Sequence, residues 1–151
     1  MKRIRLRNGR YDAPERFQKI GSSHCWSVGI GDIQYGDMTG DGQEDAAVVL
    51  GTERGGNAGG TDVFIYTVSD NRPVLLWKFA AGDRADGGLK KIHAENGRLV
   101  VELYGIGTRV GQLQSSEDVG SCCPKHYTRT KYKWDGKQFQ QNGKEETTPI
   151  P

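Results

Sequence analysis

Two dipeptides, Asn96-Gly97 and Asp135-Gly136, constrain this chain more than any other feature, because each separates two short runs rich in β-branched and aromatic residues. A two-residue turn of type I′ needs positive φ at both central positions, and Asn-Gly or Asp-Gly adopts that at least cost. The first dipeptide joins residues 89–94 to 99–104, and the second joins 128–134 to 137–139. Each pair reads as an antiparallel hairpin. Similar runs occur at 46–50, ending at Gly51, at 63–68, ending at Ser69-Asp70-Asn71, and at 74–79, ending at Gly82-Asp83.

Helix signals are sparse. Asp12-Ala13-Pro14-Glu15 fits the start of a short helix carrying Phe17 and Ile20, yet Pro14 pushes Ala13 away from the helical region and an extended segment fits equally well. Residues 51–60 hold five glycines and no Gly-Lys-Ser/Thr ending, so they predict a β–β loop rather than a phosphate cradle. A second loop is expected over 105–120, running across the surface. The expected fold is mainly β: one domain over residues 1–151, built as an antiparallel sandwich or open barrel with long Gly-rich loops and at most one or two short helices.

Composition agrees with a packed chain. Apolar residues make up 34%, but the 22 glycines are outside that figure. Counting Gly and omitting Tyr brings the share to roughly 45%, near the globular norm. No apolar run approaches the ~18 residues of a membrane-spanning helix. The opening Met1-Lys2-Arg3-Ile4-Arg5-Leu6-Arg7 has the positive charge of an export signal but no apolar stretch behind it. A formal charge of +2, from 21 basic and 19 acidic residues, demands neither a nucleic-acid nor a membrane partner.

The acidic segment Asp37-Met38-Thr39-Gly40-Asp41-Gly42-Gln43-Glu44-Asp45 carries the clearest chemistry. Ca²⁺ takes six to eight oxygens at about 2.3–2.6 Å, and a loop with oxygen side chains on alternate residues wraps such an ion. Asp37, Thr39, Asp41 and Asp45 stand at loop positions one, three, five and nine. Gln43 stands at seven, where the backbone carbonyl is the ligand, and Gly42 at six, where the chain turns sharply. Position twelve is Val48, so the bidentate glutamate of an EF-hand is missing, and Asp32, Glu44 or a residue of the glycine loop would have to close the shell. The expected cofactor is therefore a structural Ca²⁺. The competing arrangement is a turn in which these carboxylates bond their own backbone.

This segment resembles the Asp-rich calcium loops of FG-GAP/VCBS-type repeats and, more distantly, those of dockerins. A wider resemblance starts at Leu6-Arg7-Asn8-Gly9-Arg10-Tyr11. It continues through Tyr35-Gly36-Asp37, the run Asp45-Ala46-Ala47-Val48-Val49-Leu50 and the glycine loop, then Gly82-Asp83-Arg84 and Cys122-Cys123-Pro124. That succession is similar to small uncharacterised bacterial domains exported to the periplasm or beyond. The resemblance implies a β-rich fold and an oxidising compartment, and no established activity. Cys25, Cys122 and Cys123 are then disulfide candidates, with Cys25 expected to pair with one of the adjacent two. Three reduced thiols in a cytoplasmic protein is the alternative.

Zinc is disfavoured: His24, Cys25, Cys122, Cys123 and His126 supply donors, but no Cys-x2-Cys pair exists. Cys123 with His126 forms no recognisable nucleophile–base motif, and His93 falls in a strand pattern. No Gly-x-Ser-x-Gly or His-Glu-x-x-His motif is present. In residues 125–134, strand alternation puts Arg129, Lys131 and Lys133 on one face and Thr128, Thr130, Tyr132 and Trp134 on the other. The basic stripe is a candidate partner surface. Nucleic acid is disfavoured, because only Tyr127 offers an aromatic ring on that side.

The expectation is thus a non-catalytic binding or accessory domain, periplasmic or secreted, for a protein or cell-envelope glycan; a cytoplasmic location stays open. One alternative is a hydrolase of such glycans whose carboxylates the sequence does not reveal. The other is a basic-patch protein for nucleic acid.

Overall fold

The computed structural model describes residues 4–14, 27–53, 59–83, 87–112 and 123–151. In chain order the strands are β1 (Arg10–Asp12), β2 (Ser27–Gly36), β3 (Asp45–Glu53), β4 (Gly59–Ser69), β5 (Arg72–Ala81), β6 (Leu89–Glu95), β7 (Arg98–Tyr104), β8 (His126–Trp134), β9 (Phe139–Gln141) and β10 (Glu146–Pro149). β1 to β5 form one antiparallel sheet in chain order, and the second sheet runs β10-β8-β7-β6, with β9 also paired to β8. The sheets pack as a sandwich and do not close into a barrel. No helix occurs among the described residues.

Turn chemistry explains the connections. Asn96 and Gly97 have φ of 51° and 70°, the type I′ geometry expected of them, and Asp70 and Asn71 form a second such turn at 51° and 57°. The hairpin at Asp135-Gly136 exists but its turn differs from expectation. Gly136 alone has positive φ, and the loop has four residues, 135–138, between Trp134 and its partner Phe139. Asp135 Oδ1 accepts from Lys137 N at 2.8 Å and Gln138 N at 2.9 Å, so its carboxylate shapes the loop in place of a second left-handed residue.

Strand alternation places the core. Ala47, Val49, Val63 and Ile65 from the first sheet meet Ile92, Leu99, Val101, Leu103, Tyr132 and Phe139 from the second, all buried. Trp77 of β5 lies 5.1 Å from the Tyr132 ring and 5.5 Å from that of Phe139, joining the sheets through an aromatic cluster.

Three expectations change. Asp12 belongs to β1 and accepts from Arg10 Nε at 2.9 Å rather than capping a helix; Phe17 and Ile20 lie outside the described residues. Gly51, Thr52, Gly59 and Gly60 are paired strand residues, so the glycine loop is shorter than expected. The connection after β7 is packed in part rather than superficial, since Thr108 is buried, its N–H donates to Thr128 Oγ1, and that hydroxyl donates to Gly105 O.

Candidate metal loop and charged face

Residues 37–45 link β2 to β3 and reach across to the other sheet. Met38 is fully buried in the core, which anchors the loop by its apolar residue. Gly40 then lies against Gly97 in the β6–β7 turn: a Cβ on Gly97 would sit 3.0 Å from Gly40 Cα. Just before the loop, a Cβ on Gly36 would lie 2.7 Å from Ala94 Cβ. The first approach has glycine on both sides, and the second leaves no room for a Cβ at position 36. The loop therefore fastens the two sheets at this end of the sandwich.

Its carboxylates are unequal. Asp45, 1% exposed, uses Oδ2 to accept from Met38 N at 2.8 Å, Thr39 N at 3.0 Å and Thr39 Oγ1 at 3.1 Å. Asp37 accepts from Gly40 N at 2.6 Å through Oδ1 and from Gly42 N at 3.0 Å through Oδ2. Asp41 accepts from Gln43 N at 2.8 Å through Oδ1 and is exposed. Gly40 and Gly42, at φ of 81° and 83°, give the sharp bends that aim these N–H groups inward. Asp45 Oδ1 is buried and has no hydrogen-bond partner among the described residues.

These residues retain part of what a hard cation needs. A carboxylate has about four acceptor positions, so Asp37 and Asp41 keep capacity beyond their backbone bonds, and the Asp45 Oδ1 lone pairs are unused. Among the described residues, however, no group of three or more His, Cys, Asp and Glu side chains is close enough to surround one ion. Asp32 does not supply a free carboxylate: on β2 it accepts from its neighbour Ile33 N and from Gln34 Nε2. Glu44 is exposed, and Val48 at position twelve is a β3 residue.

The basic stripe lies on the outer face of the second sheet, where Glu95 neutralises part of it. Glu95 Oε1 is 2.6 Å from Arg129 Nη2 and Oε2 is 3.1 Å from Lys131 Nζ; these two cations hold its carboxyl below the usual range. Lys133 is exposed, while Thr128, Thr130 and Tyr132 are buried on the opposite side, as the alternation predicts. Sequence reasoning missed Glu102 on the same outer face. It is nearly buried, and it pairs with Lys90 at 2.9 Å; that ammonium also sits 3.9 Å from the centre of the Tyr127 ring. The available signal was Glu102 in an otherwise apolar run; the structure sets it opposite Arg129 in register. His93 lies on β6, and desolvation, helped by Lys91 and Arg129, pulls its pKa below 6.5.

Cys123 is exposed, whereas Cys25, Cys122 and His24 lie outside the described residues, and with them the pairing and the zinc set considered from sequence. No described helix is long and apolar enough to cross a membrane. The chain matches no family model, no curated protein and no solved structure.

Proposed function

We propose that this chain is a non-catalytic binding or accessory module of the periplasm or cell exterior, whose acidic loop takes a structural Ca²⁺. The observation that carries the metal is the buried, unpartnered Asp45 Oδ1 at the end of a loop with further oxygens on Asp37, Thr39 and Asp41. These four side chains and the Gln43 carbonyl would hold the ion only once Asp37, Asp41 and Asp45 draw closer together than they lie here; the ion would supply positive charge to these carboxylates and no catalysis. The contact between Gly40 and Gly97 supports a structural role, because tightening this loop tightens the junction of the sheets. A specific observation favours a second reading. The backbone N–H groups already bonded to Asp37, Asp41 and Asp45 fit a clasp that works with no ion.

Melting curves in Ca²⁺, Mg²⁺ and chelator separate the two. Ligand at a hundredfold over its dissociation constant stabilises by about 2.7 kcal/mol, a rise of roughly 5–10 °C for a chain of this size. Asp41→Ala, on an exposed side chain, is expected to abolish that rise and to change melting little in chelator. No rise at about 10 mM Ca²⁺, well above the ~10⁻⁴–10⁻³ M constants of weak extracellular sites, leaves the ion-free clasp.

A further inference from the structure

The outer face of the first sheet is apolar across four strands. Register aligns three rows there: Tyr35, Ala46, Tyr66 and Leu75; Ile33, Val48, Phe64 and Lys78; Ile30, Leu50, Asp62 and Ala80. Ten of these twelve side chains are apolar or aromatic and none is buried, whereas the inward Ala47, Val49, Val63, Ile65 and Ala81 all are. Tyr35 is 63% exposed, Leu75 45% and Ile30 43%. Strands apolar on both sides belong to sheets covered on both sides, and a contiguous exposed apolar patch marks an interaction site.

The two charges on this face identify its occupant. Lys78 and Asp62 lie diagonally on β5 and β4, and among the described residues neither takes part in an ion pair. A two-fold interface sets each residue against a different residue of an identical copy, so a face bearing one cation and one anion complements itself. We infer that this face binds a second copy of the chain. The two sheets stack face to face, about 10 Å apart, on a two-fold axis that lies between them and crosses the diagonal from Lys78 to Asp62 at its midpoint, at right angles to it. Lys78 then meets the partner subunit's Asp62, twice per dimer, while the apolar rows exclude water between them. This dimer is independent of the acidic loop and of calcium.

Sedimentation equilibrium on the intact chain tests the assignment. Wild type is expected to dimerise. Lys78→Glu and Asp62→Lys each place like charges opposite one another and should weaken the dimer about tenfold or more, while the double variant restores it. Tyr35→Glu, on the most exposed ring, should also weaken it, and Lys133→Glu on the other sheet should not. Chelator should leave the dimer intact, which separates its failure from failure of the calcium reading. Wild type that stays monomeric up to about 1 mM overturns the proposal. So does a dimer indifferent to all three face substitutions, or one in which the double variant is no tighter than the singles.

Discussion

Replacing Asp45 by Ala in calcium-free buffer isolates what the loop contributes by itself. In the folded chain its Oδ2 accepts two backbone N–H groups and one hydroxyl, and Met38, which donates the first, is wholly buried. Hydrogen bonds to a charged group contribute about 1.5–3 kcal/mol each, and a buried donor left without a partner costs about 1–3 kcal/mol. Thr39 is only half-buried, so its groups recover water and count for less. The sum is on the order of 3–5 kcal/mol, a large part of the ~5–15 kcal/mol that holds a domain together. Asp41→Ala loses a single bond at an exposed turn, about 0.5–1.5 kcal/mol. Urea unfolding of both variants in chelator, with the slope checked for constancy, gives the comparison. Equal losses, or a loss below about 1.5 kcal/mol for Asp45→Ala, would refute the unequal roles assigned to these carboxylates.

Gly97→Ala is expected to destabilise by about 2–4 kcal/mol, because left-handed strain adds to a Cβ pressed against Gly40; Gly107→Ala, with equally positive φ and open space around it, should cost about 1–2 kcal/mol. Matched losses in chemical denaturation would mean that the loop does not press on this turn. His93, held below 6.5 by burial, binds a proton more readily in the unfolded chain, so its contribution to stability is complete above about pH 6.5 and falls as pH drops towards the folded-state pKa. His93→Gln should flatten that part of the stability–pH curve, as measured by urea midpoints across pH 5–8; an unchanged slope would assign the dependence to other groups.

How much was legible depends on the range of the interaction. β3 to β8 announce themselves through local runs and turns, and Asn96-Gly97 specified its turn outright. β2 was invisible because Gly29, Gly31 and Gly36 break its pattern, Asp32 adds a charge, and a bulge at Gly31 shifts its register. β1 and β10 are too short and polar to carry an alternation signal. The acidic loop was plain as a string of oxygens. Its contact with Gly97 was not, since nothing near Gly40 in sequence records a backbone that arrives 57 residues later. The same limit hid the inequality of the carboxylates, for spacing treats Asp37, Asp41 and Asp45 alike while only Asp45 starts a strand that enters the core.

That inequality bears on why a loop of this kind would sit here at all. A connection at the end of a sandwich brings polar backbone to a place where the core would otherwise continue, and buried backbone groups need partners. In this chain Met38 continues the core through the connection, and the Asp45 carboxylate satisfies the Met38 N–H that such an arrangement would strand. Burying that carboxylate leaves Oδ1 without compensation, and a buried unpartnered acceptor is costly. The geometry that lets an apolar side chain pass through the loop thus also leaves a buried acceptor uncompensated. On the calcium reading proposed above, fold and metal affinity would have one origin, and a substitution that removed the unpartnered acceptor, with the Met38 N–H still bonded, would remove the reason for an ion.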